Sequence, residues 1–351
     1  MQDQDFEEQF EDEELDAASS IEIHEIIVDK GQEQLRIDKF IQNKLKEITR
    51  SKIQNWITEE KIKVNGQIIK SNYKVRPLDC IQIEVVKHPD YTAEILPENI
   101  PLNIVYEDEA IIVINKTAGM VVHPGHGNFH GTLLNALAFH FQQQEKKLDE
   151  MPPRIGLVHR IDKDTTGLIL IAKTEEALSF LQKQFKDHTV HRRYVALAWG
   201  DFDEPEGRIE GNIGRNEKNR KIMAVMEDEE KGKHAVTHYK VLERLLYVSL
   251  IECRLETGRT HQIRVHTRFI GHPLFNDAAY GGDKIVKGTV FPKYKQFVEN
   301  CFKILNRQAL HAKELGFIHP ISKEKIMFDS ELPEDFATVL ERWRTYTQGK
   351  V

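Results

Sequence analysis

The chain has 351 residues, 40% hydrophobic and 30% charged; it is too long for one average domain and composed like a folded soluble protein. No apolar run approaches the ~20 residues that cross a bilayer, and the acidic start lacks the basic and apolar regions of a secretory signal, so no membrane partner is expected. Cys80, Cys253 and Cys301 lie far apart, so disulfides and a thiolate metal site are not expected and a reducing cytoplasm fits.

The net charge of −7 hides an asymmetry. Residues 1–26 carry 11 acids and no Lys or Arg, and the remainder carries 49 bases against 45 acids, a net of +4. Residues 1–29 therefore read as an acidic, disordered tail. Residues 30–90 read as a compact basic module, with 13 Lys or Arg and 8 acids. Ile37, Phe40, Ile41 and Leu45 have helical spacing. Thr49 or Ser51 can cap a second helix with Ile53, Trp56 and Ile57 on its apolar face. Lys63-Val64-Asn65-Gly66-Gln67-Ile68 predicts a hairpin with an Asn-Gly turn. Val75 to Val85 predicts another strand pair, across Pro77-Leu78-Asp79.

Residues 91–101, polar and ending in Pro101, read as a linker. The large domain, residues 102–351, opens with a buried strand at Ile111–Lys116, and Thr132 caps a helix. Strands and helices alternate irregularly after that. A mixed α+β sheet fits better than a doubly wound one.

The most informative stretch is Ile155 to Ala172. An apolar lead-in, Ile155–Val158, runs into the charged turn His159-Arg160-Ile161-Asp162-Lys163-Asp164, and a second apolar run, Leu168–Ala172, leaves it. If the lead-in is extended, Val158, Arg160 and Asp162 share a face, and Arg160 helps keep Asp162 ionised. An ionised, partly buried carboxylate can serve as nucleophile or base. Further on, Thr174 caps a helix, and His191–Gly200 forms a strand carrying Tyr194, a ring able to stack on a base and relay a proton. Lys218–Met223 is a basic loop containing Arg220 and Lys221. Ile251–Leu255 alternates as a half-buried strand. Gly258-Arg259-Thr260-His261-Gln262-Ile263-Arg264 follows, with Thr260 expected to cap a helix. No His cluster has metal-ligand spacing, so no metal is expected.

Taken together and in order, these segments resemble the RluA/RluD family of pseudouridine synthases. His159-Arg160-Ile161-Asp162 with Thr165-Thr166-Gly167 stands for the usual His-Arg-Leu-Asp with Thr-Ser-Gly, and Gly258 to His266 matches position for position. The basic module is similar to the RNA-binding module of the ribosomal protein S-four type. There Arg36, Lys39, Arg50, Ser51, Lys52 and Lys63 match the basic face. The resemblance implies an α+β fold with a mixed, mainly antiparallel catalytic sheet. It implies an RNA-binding enzyme that isomerises uridine to pseudouridine, acting as a cytoplasmic monomer without cofactor, with large-subunit ribosomal RNA as partner and transfer RNA as the alternative.

The resemblance makes Asp162 the catalytic carboxylate, Arg264 its salt-bridge partner and Tyr194 the ring on the uracil. Arg160 would fill the stack left by a flipped nucleotide, and Arg220, Lys221, Arg259 and His261 would face RNA. Two rivals stand beside it. Asp162-Lys163-Asp164-Thr165-Thr166 fits the Asp-x-Asp-x-Thr pattern of a magnesium-dependent aspartyl-phosphate phosphotransferase, although His159 and Arg160 interrupt the apolar strand that chemistry wants. A non-catalytic, ribosome-associated RNA-binding protein would need only the basic module.

Overall fold

The computed structural model describes residues 20–45, 50–58, 60–87, 95–125, 128–144, 153–219, 221–228 and 231–349. The chain divides after residue 91 into two units.

In the first unit, helices α1 (Ile37–Lys44) and α2 (Arg50–Thr58) lay Ile37, Phe40, Ile41, Ile53, Trp56 and Ile57 into one core. Beneath them lies a sheet of β1 (Ser20–Ile27), β2 (Ile62–Val64), β3 (Gln67–Ile68) and β4 (Cys80–Lys87), in the order β1-β4-β2-β3. The hairpin forms as expected, with Asn65 and Gly66 both at positive φ (51° and 76°), the geometry that favours Asn-Gly. Two expectations need correction. Part of the supposed tail is a strand: β1 pairs antiparallel with β4 from Ser20↔Lys87 to Ile27↔Cys80. An acid-rich composition had masked its alternating Ile21, Ile23 and Ile27; residues 1–19 lie outside the described residues. Val75 to Val85 is not a strand pair, because β4 takes β1 and β2 as neighbours and the chain before it makes only an isolated bridge, Lys74 to Arg36. Thr49 also lies outside the described residues, although α2 does begin at Arg50.

The second unit is built on one large sheet: β5 (Ile104–Glu107), β6 (Ile111–Lys116), β7 (Thr166–Ala172), β8 (His191–Trp199), β9 (Glu206–Arg215), β10 (Met223–Val225), β11 (Lys233–Leu245), β12 (Val248–Leu255), β13 (Leu310–Ile318) and β14 (Lys325–Asp329). Its order is β10-β9-β11-β12-β8-β13-β7-β6-β5, with β14 on β13, and every named pairing is antiparallel except β13 with β7. It is thus mixed and mainly antiparallel. Helix α3 (Leu133–Gln143) starts in the capping box that Thr132 forms with Asn135, and α4 (Glu175–Lys186) starts on Thr174. Helices α5 (Gln262–Phe269), α6 (Pro292–Ile304) and α7 (Glu334–Gln348) complete the unit.

Cores form on both faces of the sheet. Trp199, Phe275, Tyr294, Phe336 and Trp343 pack with α6 and α7, and Ile161, Tyr194, Ile251 and Ile263 pack around α5. The described part of the expected linker is docked rather than free. Leu96 and Glu98 bond Asn135 and the Gly131 amide at the start of α3, satisfying groups that a helix end leaves open.

Candidate active site

Asp162 sits on the loop that precedes β7, and its local backbone differs from the expected extended lead-in. Residues 153–156 form a 3₁₀ turn, with Ile155 and Gly156 at positive φ (49° and 70°). Only glycine fits at 156, because a Cβ there would stand 1.7 Å from the Ala172 carbonyl oxygen. One isolated bridge, Leu157 to Ile171, then leads into an unpaired segment. The shared face of Val158, Arg160 and Asp162 is therefore not formed. Val158 joins the core under Leu168 and Leu170, Ile161 joins Tyr194, and Asp162 turns toward α5. The apolar run reflects burial on all sides, not strand periodicity.

Helix α5 supplies the counter-charge. His261 occupies the cap position in the left-handed region (φ 54°), without a side-chain cap bond, so Thr260 is not the cap. The Gln262 side chain fixes this start instead. It accepts from the Arg259 amide (2.9 Å) and the Thr257 hydroxyl (2.7 Å), and donates to the Val236 carbonyl (2.9 Å). Arg264 is thereby held rigidly, one turn in. Its Nε and Nη2 donate to the two oxygens of buried Asp277 (2.8 and 2.9 Å), and its Nη1 donates to Asp162 Oδ2 (2.9 Å). The guanidinium also lies 5.0 Å from the centre of the Tyr280 ring. His261 Nε2 is 3.9 Å from the same Asp162 oxygen, and its Nδ1 is 2.8 Å from the Tyr280 hydroxyl.

Burial pushes the Asp162 carboxyl up, but the positive fields of His261, Arg264 and Arg160, with the Arg264 hydrogen bond, more than offset it and leave it below the usual carboxylate range. Tyr194 is buried within the field of Asp162, and burial raises its phenol, so the ring is a neutral donor.

Two supporting residues went unnoticed in the sequence. Asp277 holds two of the three faces of Arg264, yet in Phe275-Asn276-Asp277-Ala278 it reads as an ordinary turn acid. Lys116, 1% exposed at the end of β6, donates to the carbonyls of Thr117 (2.8 Å), Met120 (2.9 Å) and Lys163 (2.8 Å). Three acceptors match the three ammonium protons, so this side chain ties the loop of Asp162 to the turn after β6. Burial lowers its pKa to about 7, against the opposing fields of Asp162 and Asp164.

The remaining residues are scattered around this core. Arg160 is half-buried beside Asp162. Arg259 is half-buried, its Nε on the His234 carbonyl (3.2 Å). Lys221 is exposed, and Arg220 lies outside the described residues.

In the first unit, Arg36 and Arg50 are half-exposed and converge on one buried carboxylate, Asp38. Gln54 donates to the same group. Burial raises the Asp38 carboxyl, but the bonds from Arg50, Gln54 and Arg36 outweigh it and bring it to about 2. Lys39 is exposed, and Lys63 pairs with Glu84 at 3.1 Å. Ser51 and Lys52 fall in the first turn of α2, and their side chains are outside the described residues.

Comparison with known proteins gives matches over both units. A family profile for RNA pseudouridylate synthase matches residues 110–269, and an S4 domain profile matches residues 35–79. The chain is 45% identical to an RNA pseudouridine synthase of Chlorobaculum parvum, over 91% of this chain and 97% of that one. It is 41% identical to the ribosomal large subunit pseudouridine synthase D of Zymomonas mobilis, over 86% and 91%. Among solved structures, human RNA pseudouridylate synthase domain containing 4 shares the fold, with a TM-score of 0.53 at 24% identity over 69% of this chain and 93% of that one.

Proposed function

Since this chain belongs to the RNA pseudouridine synthases, we propose that the uridines it isomerises lie in large-subunit ribosomal RNA and that Asp162, Arg264 and Tyr194 carry the reaction. In the isomerisation the bond from uracil N1 to the ribose breaks and a bond from carbon 5 to the ribose forms. Carbon 5 loses a proton and N1 gains one, so the reaction balances without a redox partner or group donor.

The observation that carries the catalytic reading is the ion-pair chain Asp162–Arg264–Asp277, with Tyr194 inside the field of Asp162. Both routes open to the carboxylate, attack on a carbon and removal of a sugar proton, require it ionised and unprotonated. Arg264 supplies that, and because Asp277 anchors two of its donors, its direction does not depend on Asp162. Tyr194 offers a flat face for the uracil and a proton-bearing oxygen near carbon 5. A paired uridine is out of reach, so the nucleotide must flip out, with Arg160 taking its place in the stack.

The large-subunit reading rests on relatives of that name at 41% identity over most of both chains. Mapping pseudouridines in total RNA from a strain lacking this gene tests it. Loss of sites in large-subunit RNA is the expected result; losses confined to transfer RNA would overturn the assignment.

The first unit supports RNA affinity through phosphate contact, which is salt-sensitive and indifferent to sequence. Arg36, Lys39, Arg50 and Lys52 changed together to Ala should raise KM more than they lower kcat. The slope of log affinity against log salt should flatten by about 0.7–0.9 per lost phosphate contact. A filter-binding titration with parallel slopes would contradict this.

A further inference from the structure

Arg192 carries a charge that no carboxylate among the described residues pairs. It is on β8, two residues before Tyr194, so the two side chains leave the same face of the sheet about 7 Å apart. Its Nε is buried without a hydrogen-bond partner, and among the described residues no carboxylate forms an ion pair with it. Its neighbour Arg193, on the opposite face, shows the contrast by pairing with both Glu252 and Glu314. Burial pulls the Arg192 guanidinium below its ordinary value.

The surroundings form a seat. On one side the Phe185 ring centre lies 5.3 Å from the guanidinium, and His159 stacks on that ring at 4.7 Å. On the other side is Gly258, where a Cβ would come within 2.9 Å of Arg192 Nη1. Gly258 lies three residues before His261, and the absence of a side chain there leaves room for the guanidinium on the face that carries Tyr194. Arg192 is half-buried, with Nε sealed from water and without an acceptor; such a donor costs stability and is completed when an acceptor arrives.

We infer that Arg192 binds a backbone phosphate of the RNA next to the target uridine, held for that role by the Phe185 ring and the bare backbone of Gly258. The inference rests on the proposed RNA isomerisation at Asp162. A planar guanidinium with open donors is matched to the oxygens of a phosphodiester. Contact there would fix the ribose over Asp162 while the base meets Tyr194, so Arg192 is a positioning residue.

Synthetic RNA substrates with a neutral methylphosphonate at each linkage flanking the uridine test this. Wild-type enzyme should lose about tenfold in KM at one linkage, as expected for one charge-assisted hydrogen bond. Arg192→Met should lose about as much on ordinary RNA and nothing further at that linkage, with kcat changed less than KM. Arg192→Lys should recover part of the loss. Gly258→Ala, which displaces the guanidinium without changing charge, should raise KM in the same direction. Without RNA, Arg192→Met should melt no lower than wild type. An unchanged KM, a methylphosphonate penalty undiminished in the Met variant, or a lowered melting temperature would each overturn the inference. A wild-type enzyme that isomerised no uridine in RNA would instead overturn the functional reading it rests on.

Discussion

Asp162→Asn should abolish uridine isomerisation while leaving RNA affinity within a few-fold of wild type. The substitution preserves the size of the side chain and an oxygen that can accept from Arg264 Nη1, now at 2.9 Å from Asp162 Oδ2. It removes the charge that either attack or proton abstraction needs. Loss of a positioned base or nucleophile costs about 10²–10⁴-fold or more. The fold should survive. Arg264 keeps both bonds to Asp277, so the cost is that of weakening one hydrogen bond to a charged group, about 1–3 kcal/mol against a typical stability of about 5–15. Tritium release from RNA labelled at uridine carbon 5 measures the outcome. Substantial release by the Asn variant, with its melting curve near wild type, would exclude Asp162 from the chemistry.

Legibility in the sequence followed the range of the interaction. Period and caps gave α1, α3, α4, β6, β8 and the Asn65-Gly66 hairpin, because each depends on neighbours within a few residues. Errors came where a distant contact overrode the local signal. Ile155 to Val158 is apolar like a strand, yet the close approach of Gly156 to Ala172 turns the backbone instead. Thr260 is a good capping residue, but Gln262 reaches Val236 across the sheet and takes over the start of α5. The strand β1 was hidden because its partner β4 lies about sixty residues on and acids surround it.

The site shows the same division. Asp162 and Arg264 could be paired from family resemblance, not from spacing, since 102 residues separate them. Asp277 and Lys116 were missed because each acts through groups that only the fold brings near. Lys116 reaches the carbonyl of Lys163, 47 residues away, and no local pattern marks it. Arg192 was equally silent: what marks it is the lack of an ion-pair partner among the described residues, which no sequence pattern shows.

Arg264→Met should lose nearly all activity and move the acidic limb of the remaining activity to higher pH. Burial alone raises the Asp162 carboxyl; the positive charges around it, Arg264 among them, hold it below the ordinary range. Removing the guanidinium leaves burial less opposed, so the carboxyl protonates at a higher pH than in wild type. Activity that requires the ionised form then fails earlier on acidification, while wild type keeps its limb lower. A second effect must be separated from this one. Asp277, 1% exposed, would also lose its partner, and an unpaired buried charge costs about 3–5 kcal/mol. Adding Asp277→Asn should restore melting temperature without restoring the limb. Arg264→Lys keeps the charge but cannot span both carboxylates, since it lacks the planar fork, so intermediate activity and a smaller shift are expected. The measurement is kcat/KM against pH for the three variants. An acidic limb that stays where wild type has it in the Met/Asn double variant would show that Arg264 serves RNA or the fold, not the ionisation of Asp162.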